Sequence, residues 1–265
     1  MSRFASLAFI GCLLLMAFTG FGKRMKVLAI GNSFSADAVE QYLWDLAAEA
    51  GDTLIIGNAY IGGCSIDRHT ANFENAAPKY SYRLVENGVL TSKEGVTLQE
   101  IIADKEWDII SLQQSSPLSG NSSSFGNLPV LISYVKETMP NKDAEIVWHN
   151  TWAYAKDFDS DNFKYYGYSQ EAMMDSIMNV TATIIPKAGI NHIIPAGVTI
   201  QNAREVFGDV LNRDGYHLAI PLGRYVAACT WAEFLTGRDV TTLSFKPSDL
   251  SEADAHKARA TAHQK

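Results

Sequence analysis

Three side chains of the kinds used in acyl transfer lie next to predicted strands or helices of this chain. Ser33 follows an apolar run that ends at Gly31, and Asp214 and His217 lie three residues apart, ahead of the last long helical pattern. A serine nucleophile needs a base, and the base needs a carboxylate that sets its tautomer and orientation. Because the Asp-x-x-His pair lies on one turn, the carboxylate can reach Nδ1 while Nε2 faces outward. These residues predict a Ser33–His217–Asp214 triad.

Ser33 and Asp214 each have a second interpretation. A serine ahead of a helical pattern is ordinary capping chemistry, so Ser33 taken alone favours an N-cap. Asp214 either orients His217 or caps the helix whose pattern begins near Leu218. The Asp-x-x-His pair favours a nucleophilic Ser33, because a cap requires no such partners.

The oxyanion that forms in acyl transfer needs preorganised N–H donors. The Ser33 N–H is one candidate, and the adjacent Gly62 and Gly63 follow the next strand, where a backbone without Cβ atoms can approach a ligand closely. The amides of Gln113 and Gln114 follow the third parallel strand. Since alternation along a strand sends neighbouring side chains to opposite faces, one of them is expected to serve, and we prefer Gln114.

Candidate substrate contacts lie in two segments. Residues 151–168 leave a predicted strand at its carboxyl end and are rich in aromatic residues, with Trp152 and Tyr154 nearest the strand. This loop either stacks on sugar rings or forms a lid held by its own side chains. His69, shortly after Gly63, is placed near the mouth of the pocket, where it contacts substrate or has a surface or supporting role.

Metal and disulfide chemistry are not indicated. No pair of His, Asp, Glu or Cys has zinc-like spacing, so neither a metal nor a cofactor is predicted. Cys64 and Cys229 are too few for a disulfide framework and lie in apolar segments, which favours two small buried side chains.

The elements that must position these residues alternate between strand and helix. This order predicts a parallel sheet with helices on both faces and ligands beyond the carboxyl ends of its strands. An Asn-Gly turn within residues 82–92 indicates a hairpin outside the main sheet. The predicted strands are 26–31, 53–60, 107–113, 144–150 and 190–195, and the predicted helices are 36–51, 97–104, 126–138, 169–187 and 222–237.

The totals describe one globular domain. The chain has 265 residues, of which 47% are hydrophobic, and a net charge of −7 without a basic cluster, so nucleic-acid binding is not expected. Residues 1–22 have the layout of a secretory signal peptide, which predicts export to the periplasm or the medium without stable membrane association afterwards. Cys12 resembles a lipoprotein box, but the apolar run continues past it. Residues 23–250 then form the domain, and 251–265 a polar tail that is either a surface helix or frayed.

Several motifs resemble the SGNH (GDSL-type) hydrolases. GNSFS at 31–35, NAYIGG at 58–63 and DGYH at 214–217 look like blocks I, II and V of that superfamily. Together with GGCS, LQQSS, HNTWAY and RDGYHLAIPLGRYVAACTW, they are similar to an SGNH-like bacterial group catalogued as a domain of unknown function. The resemblance extends from about Met25 to Gly237. It implies a flavodoxin-like, three-layer α/β/α sandwich around a central five-stranded parallel sheet.

The resemblance also assigns roles. It makes Ser33 the nucleophile, His217 the base and Asp214 its partner, with Gly63 donating an oxyanion N–H because it stands five residues after Asn58.

This chain departs from the family pattern at two places. Asn32 replaces the usual Asp, and the Gly-x-Asn block, whose Asn side chain completes the oxyanion hole, is absent. Gln113 or Gln114 is expected to substitute, since an amide NH₂ is the same donor on a longer stem.

The resulting expectation is an exported serine esterase that removes an acyl group, preferably acetyl, from a carbohydrate. The carbohydrate follows only from export and the aromatic loop. Two alternatives stay open: a non-catalytic glycan-binding protein on the same fold, and an acyltransferase that uses the same triad.

Overall fold

The computed structural model describes residues 22–264. Its centre is a seven-stranded sheet in the order β4-β3-β2-β1-β5-β6-β7. β2, β1, β5, β6 and β7 are parallel, while β3 and β4 are antiparallel. The strands are β1 (Arg24–Gly31), β2 (Thr53–Tyr60), β3 (Tyr80–Glu86), β4 (Val89–Val96), β5 (Ile109–Leu112), β6 (Glu145–His149) and β7 (Ile193–Ile194).

Nine α-helices connect or cover these strands in the described part of the chain. They are α1 (Ser33–Val39), α2 (Leu43–Glu49), α3 (Ile66–Glu74), α4 (Leu98–Ala103), α5 (Leu128–Thr138), α6 (Gln170–Thr183), α7 (Ala196–Phe207), α8 (Leu222–Thr236) and α9 (Glu252–His263).

Local sequence signals account for several helix ends. Thr97 and Glu100 form a reciprocal capping box at the start of α4, and Ser65 and Ser169 cap α3 and α6 through their side chains. α8 ends at Gly237, whose φ of 67° is the left-handed conformation that favours glycine.

Both faces of the parallel part of the sheet are buried, which confirms the three-layer sandwich, whereas β4 at one edge is exposed along most of its length. Along β1, Val27 and Ala29 belong to a core shared with α1, α2, α7, α8 and α9, whereas Leu28 and Ile30 belong to the opposite core with α3, α4 and α5. A strand covered on both sides reads as a continuous apolar run, as KVLAIG does.

Three predictions about the elements need correction. The sheet has seven strands, not five, because the hairpin after β2 pairs with β2 and extends the main sheet. The predicted helix at 36–51 is two helices, separated where Tyr42 adopts a left-handed φ of 65°. The last predicted strand contains only Ile193–Ile194, and α7, which follows it, was not predicted.

Residues 251–265 contain α9, which packs on the body of the protein. Ala255, Ala258 and Ala262 are buried, and Arg259, 4% exposed, donates to the Tyr225 hydroxyl at 3.0 Å. Of the two alternatives for this tail, the described residues form a helix, with one side buried.

Two further predictions concern residues outside the site. Cys64 and Cys229 are free and buried, as expected, and burial raises the pKa of both thiols to about 12. Over the described residues, none of the helices combines the length and apolar character needed to cross a membrane. The signal-peptide interval and Cys12 fall on residues 1–21, outside the described part, apart from Gly22.

Candidate active site

The turn after β1 presents Ser33 as the first residue of α1. Asn32 is the N-cap, since its Oδ1 accepts a hydrogen bond from the Phe34 N–H at 3.0 Å. Ser33 therefore does not cap this helix. Its side chain lines a cleft of about 450 Å³ beyond the carboxyl ends of β1 and β2.

The turn before α8 joins Asp214 to His217. His217 Nδ1 lies 2.7 Å from Asp214 Oδ2, and the His217 N–H donates to Asp214 Oδ1 at 2.8 Å. Partial burial raises the pKa of Asp214, but the hydrogen bonds from His217 and Tyr216 outweigh it and lower the pKa overall. Because α8 begins only at Leu222, Asp214 orients the imidazole and does not cap the helix.

The cleft brings the main predicted groups together. Ser33, His217, Gly62 and Gly63 all line it. Gly63 has a φ of 61°, and the turn is closed by the Cys64 N–H donating to the Ile61 carbonyl at 3.1 Å. The other lining residues, which include four aromatic rings, are Asn32, Tyr60, Ser116, Pro117, Tyr154, Phe158, Asn162 and Tyr216.

A buried carboxylate ties the two turns to each other. Asp37, 1% exposed on α1, accepts the Leu218 N–H at 2.7 Å and pairs with Arg213 at 3.3 Å and with Arg224. Residues 176 and 181 positions away are thereby held against the helix that begins with Ser33. Sequence reasoning missed this contact; the only signal was a carboxylate four residues after Ser33, on the buried side of α1.

Gln113 lies behind the turn that carries Ser33, which we call the nucleophile turn. Its Nε2 donates to Asn32 Oδ1 at 2.9 Å, and its Oε1 lies 2.7 Å from His149 Nδ1. Burial lowers the pKa of His149 to about 3, so the ring is neutral and Nδ1–H is the donor. Asn32 in turn donates its Nδ2–H to the Cys64 carbonyl at 3.0 Å, next to Gly63.

Gln114 is engaged on the other side of the chain. Its Nε2 donates to the Ser124 carbonyl at 2.9 Å and to its hydroxyl at 3.1 Å, and its Oε1 accepts the N–H groups of Ile66 and Ser115. Neither glutamine is among the described residues that line the cleft. The expected oxyanion role of Gln113 or Gln114 is therefore corrected, and because β5 ends at Leu112, strand alternation does not apply to them.

Two of the predicted substrate contacts lie in the core. Trp152 is fully buried, stacks on Phe34 with ring centroids 4.2 Å apart, and donates its indole N–H to the Tyr216 carbonyl. His69 is also fully buried, with Nδ1 2.9 Å from the Tyr80 hydroxyl. Both predictions are corrected: Trp152 supports the cleft from behind through Tyr216, and His69 contacts Tyr80 in the core.

The aromatic loop after β6 lines the cleft and is fastened to the rest of the protein. Tyr154 lines the cleft, as predicted, together with Phe158 and Asn162. The Ala155 N–H donates to the Gly215 carbonyl at 2.8 Å, which fastens the loop to the Asp214–His217 turn, and Phe163 is buried. The loop is thus held by its own side chains and also presents an aromatic wall.

Three side chains elsewhere could ligate a cation. Glu233, Asp239 and His263 offer ligand atoms within 4.8 Å of one another at the end of α8. His263 Nδ1 lies 3.1 Å from Glu233 Oε1, a contact that fastens α9 to α8.

The fold of the chain is similar to that of distant solved structures. TesA matches with 12% identity and a TM-score of 0.51, over 80% of this chain and 99% of that one. An acetylxylan esterase from Geobacillus stearothermophilus matches with 12% identity and a TM-score of 0.50, over 86% and 99%. These likenesses confirm the SGNH-type fold. No curated protein sequence matches the chain.

A much nearer relative is a solved structure from Bacteroides uniformis ATCC 8492, described as a DUF4886 family protein. It is 47% identical, with a TM-score of 0.88, over 91% of this chain and 93% of that one. Residues 26–265 match the family described as a domain of unknown function, DUF4886. The predicted similarity to a bacterial group of that kind is confirmed. The chain belongs to the DUF4886 family.

Proposed function

We propose that the protein is an exported serine esterase that removes an acetyl or similarly small acyl group from a carbohydrate. The observation that carries the proposal is the 2.7 Å contact between Asp214 and His217, in a cleft that Ser33 also lines. A carboxylate that orients an imidazole beside a serine is the arrangement used in acyl transfer.

The chemistry follows from these groups. Ser33 Oγ attacks the ester carbonyl and passes its proton to His217 Nε2, while Asp214 stabilises the imidazolium. The N–H groups of Ser33 and Gly63 receive the oxyanion. The C–O bond to the alcohol then breaks, and the alcohol leaves with the proton from His217. Water repeats the sequence on the acyl-serine and releases the carboxylic acid.

The lining of the cleft supports a neutral substrate. Apart from His217, the described side chains that line it are neutral hydroxyl, amide, aromatic and glycine or proline groups. Among the described residues that line the cleft there is no lysine or arginine to pair with a phosphate or carboxylate. Aromatic rings with interspersed hydroxyl and amide groups suit the faces and edges of sugars, which supports a carbohydrate ester; the acetylxylan esterase of the same fold acts on one, as its name states.

The first test asks whether Ser33 is nucleophilic. We expect a fluorophosphonate probe to label the wild type, and Ser33→Ala to abolish labelling. His217→Ala should slow it by several orders of magnitude. Ser133→Ala, an exposed serine on α5, serves as the control and should label normally. A folded wild type that does not label, or a Ser33→Ala variant that still does, contradicts the proposal and favours a glycan-binding protein.

The second test concerns substrate and reaction. Acetylated oligosaccharides and simple aryl acetates are compared with wild type and Ser33→Ala, with released acetate as the readout. Cleavage of aryl acetates alone would contradict the carbohydrate part. Product analysis with and without an acceptor sugar separates hydrolysis from acyl transfer, since a transferase yields little free acetate when acceptor is present.

Export is tested on the full chain. We expect cells that express residues 1–265 to release a form lacking about 22 residues, as mass spectrometry of the product would show. Deletion of residues 1–22 should leave the protein in the cytoplasm; an unprocessed full-length chain would contradict export.

A further inference from the structure

The candidate oxyanion hole has two backbone donors and lacks the side-chain donor that was expected after β5. Gln113 donates to Asn32 and Gln114 to Ser124, so both amides are committed elsewhere. Among the described residues of the cleft, the polar side chain nearest in sequence to the end of β5 is Ser116.

Ser116 is placed beside the nucleophile turn by the sheet. β5 pairs directly with β1, with Leu112 opposite Ile30, so the chain that leaves β5 runs next to the chain that carries Ser33. Ser116 is only 9% exposed and begins the 3₁₀ helix Ser116–Leu118. Its carbonyl accepts the Ser119 hydroxyl at 2.8 Å, which anchors the backbone at this position.

The Ser116 hydroxyl has a partner that can direct its proton. Its Oγ lies 2.8 Å from the Tyr154 hydroxyl, and both residues line the cleft. Burial raises the pKa of Tyr154, so the phenol keeps its proton. When Tyr154 donates to Ser116 Oγ, the serine proton is left to point elsewhere, and a hydroxyl that accepts one hydrogen bond becomes a stronger donor in the next.

We propose that Ser116 is a catalytic residue that donates the third hydrogen bond to the oxyanion, and that Tyr154 is the positioning residue that orients its hydroxyl. This inference rests on the proposed esterase function. The donated bond strengthens as charge develops on the carbonyl oxygen, so it lowers the barrier more than it tightens substrate binding.

Asn162 is the other side-chain donor to weigh. It lines the same cleft, but it is exposed on the 3₁₀ helix Asp161–Tyr166, where its backbone N–H donates to Ser160 Oγ at 3.3 Å. An exposed amide must be ordered during the reaction, whereas the Ser116 hydroxyl is buried and held 2.8 Å from the Tyr154 hydroxyl. Preorganisation favours Ser116 over Asn162, and Asn162→Ala is the variant that tests the competing donor.

The test measures kcat and KM for an ester that the wild type hydrolyses. We expect Ser116→Ala to lower kcat about 100-fold with KM within about twofold, as for loss of one oxyanion donor. Tyr154→Phe should lower kcat about tenfold, and the double variant should match Ser116→Ala, because both changes act through one hydrogen bond. Ser116→Thr, which keeps the hydroxyl, should recover most of the activity. Ser133→Ala, on the exposed face of α5 outside the cleft, is the control and should match the wild type.

The outcomes distinguish failure of the Ser116 role from failure of the proposed esterase function. A wild type that hydrolyses esters through Ser33, combined with an unchanged kcat in Ser116→Ala, overturns the role of Ser116 and leaves the esterase intact. A large loss in Asn162→Ala instead assigns the donor to Asn162. If Ser116→Ala does not fold, the Tyr154→Phe and Ser116→Thr kinetics decide. A wild type without Ser33-dependent activity contradicts both the esterase function and the role of Ser116.

Discussion

The two turns that form the candidate active site are held by different kinds of interaction. Behind Ser33, the contacts run between neutral groups, from His149 to Gln113, to Asn32 and on to the Cys64 carbonyl. We call this set the amide network. Each of these residues is at most 2% exposed, so water does not compete for its hydrogen bonds.

Behind His217, the contacts centre on a buried charge. Asp37 pairs with Arg213 and Arg224 and accepts the Leu218 N–H. This set, the Asp37 ion cluster, extends to the surface, since the side chains of Arg213 and Arg224 are 38% and 14% exposed. Neutral buried bonds set a rigid geometry, whereas charged bonds are stronger but depend on both partners keeping their charge. We call the turn that carries Asp214 and His217 the base turn. The nucleophile turn and the base turn should therefore lose stability under different conditions.

The largest effect is expected from removing the charge at the centre of the ion cluster. Asp37→Asn removes the buried carboxylate that both arginines pair with. We expect a loss of about 3 kcal/mol in the free energy of unfolding, the low end for a buried pair because Arg213 is partly solvated and both arginines keep other contacts. Urea denaturation measures it. Asp175→Asn, an exposed carboxylate on α6, is the control. A loss below about 0.5 kcal/mol would show that the base turn does not depend on Asp37.

The second-largest effect is expected from acid, which should destabilise the amide network through protonation of His149. The pKa of His149 is lowered to about 3 in the folded protein, against about 6.5 when unfolded, so the unfolded chain binds more protons between these values. Stability is thus lost as pH falls below about 6.5, by roughly 1.4 kcal/mol per pH unit for this histidine.

His149→Gln keeps a donor for Gln113 and does not titrate. We expect it to remove that part of the slope, while the similarly buried His69 keeps its own share. Chemical denaturation between pH 7 and 4.5 measures the slope, and the exposed His256→Gln should leave it unchanged. An unchanged slope in His149→Gln would mean that the pKa of His149 is not lowered in the folded protein.

Cutting the amide network directly should have a smaller effect. Gln113→Leu leaves His149 Nδ1–H without an acceptor, and an unpaired buried donor costs about 1–3 kcal/mol. Because no charge is involved, we expect the same loss at 0.05 and 0.5 M NaCl, whereas the loss in Asp37→Asn should shrink with salt. Equal salt dependence in the two variants would remove the distinction between the turns.

The smallest effect on stability is expected at Asp214. Its side chain is 41% exposed, so Asp214→Asn should cost less than about 1 kcal/mol. Its effect on hydrolysis should be large, on the order of 10⁴ in kcat, because the imidazole loses the carboxylate that sets its tautomer. Equal activity in wild type and Asp214→Asn would show that the carboxylate has no role in the reaction.

The elements that were predicted well are those with a local signal. β1 and β2 follow apolar runs of strand length, and α8 is closed by Gly237. The errors occur where context overrides such signals. The left-handed Tyr42 breaks a continuous amphipathic pattern, and the hairpin joins the main sheet because β2 leaves an edge for β3 to pair with.

The sequence by itself determined the family, the layered fold and the Asp214–His217 pair, because two residues three positions apart on one turn meet through local geometry. Only the tertiary structure decided which polar groups face the cleft. Gln114 is engaged by Ile66, 48 positions away, and Gln113 by Asn32, 81 positions away. Contacts between segments so distant depend on how the strands are ordered and packed, and the pattern of residues along any one segment does not encode them.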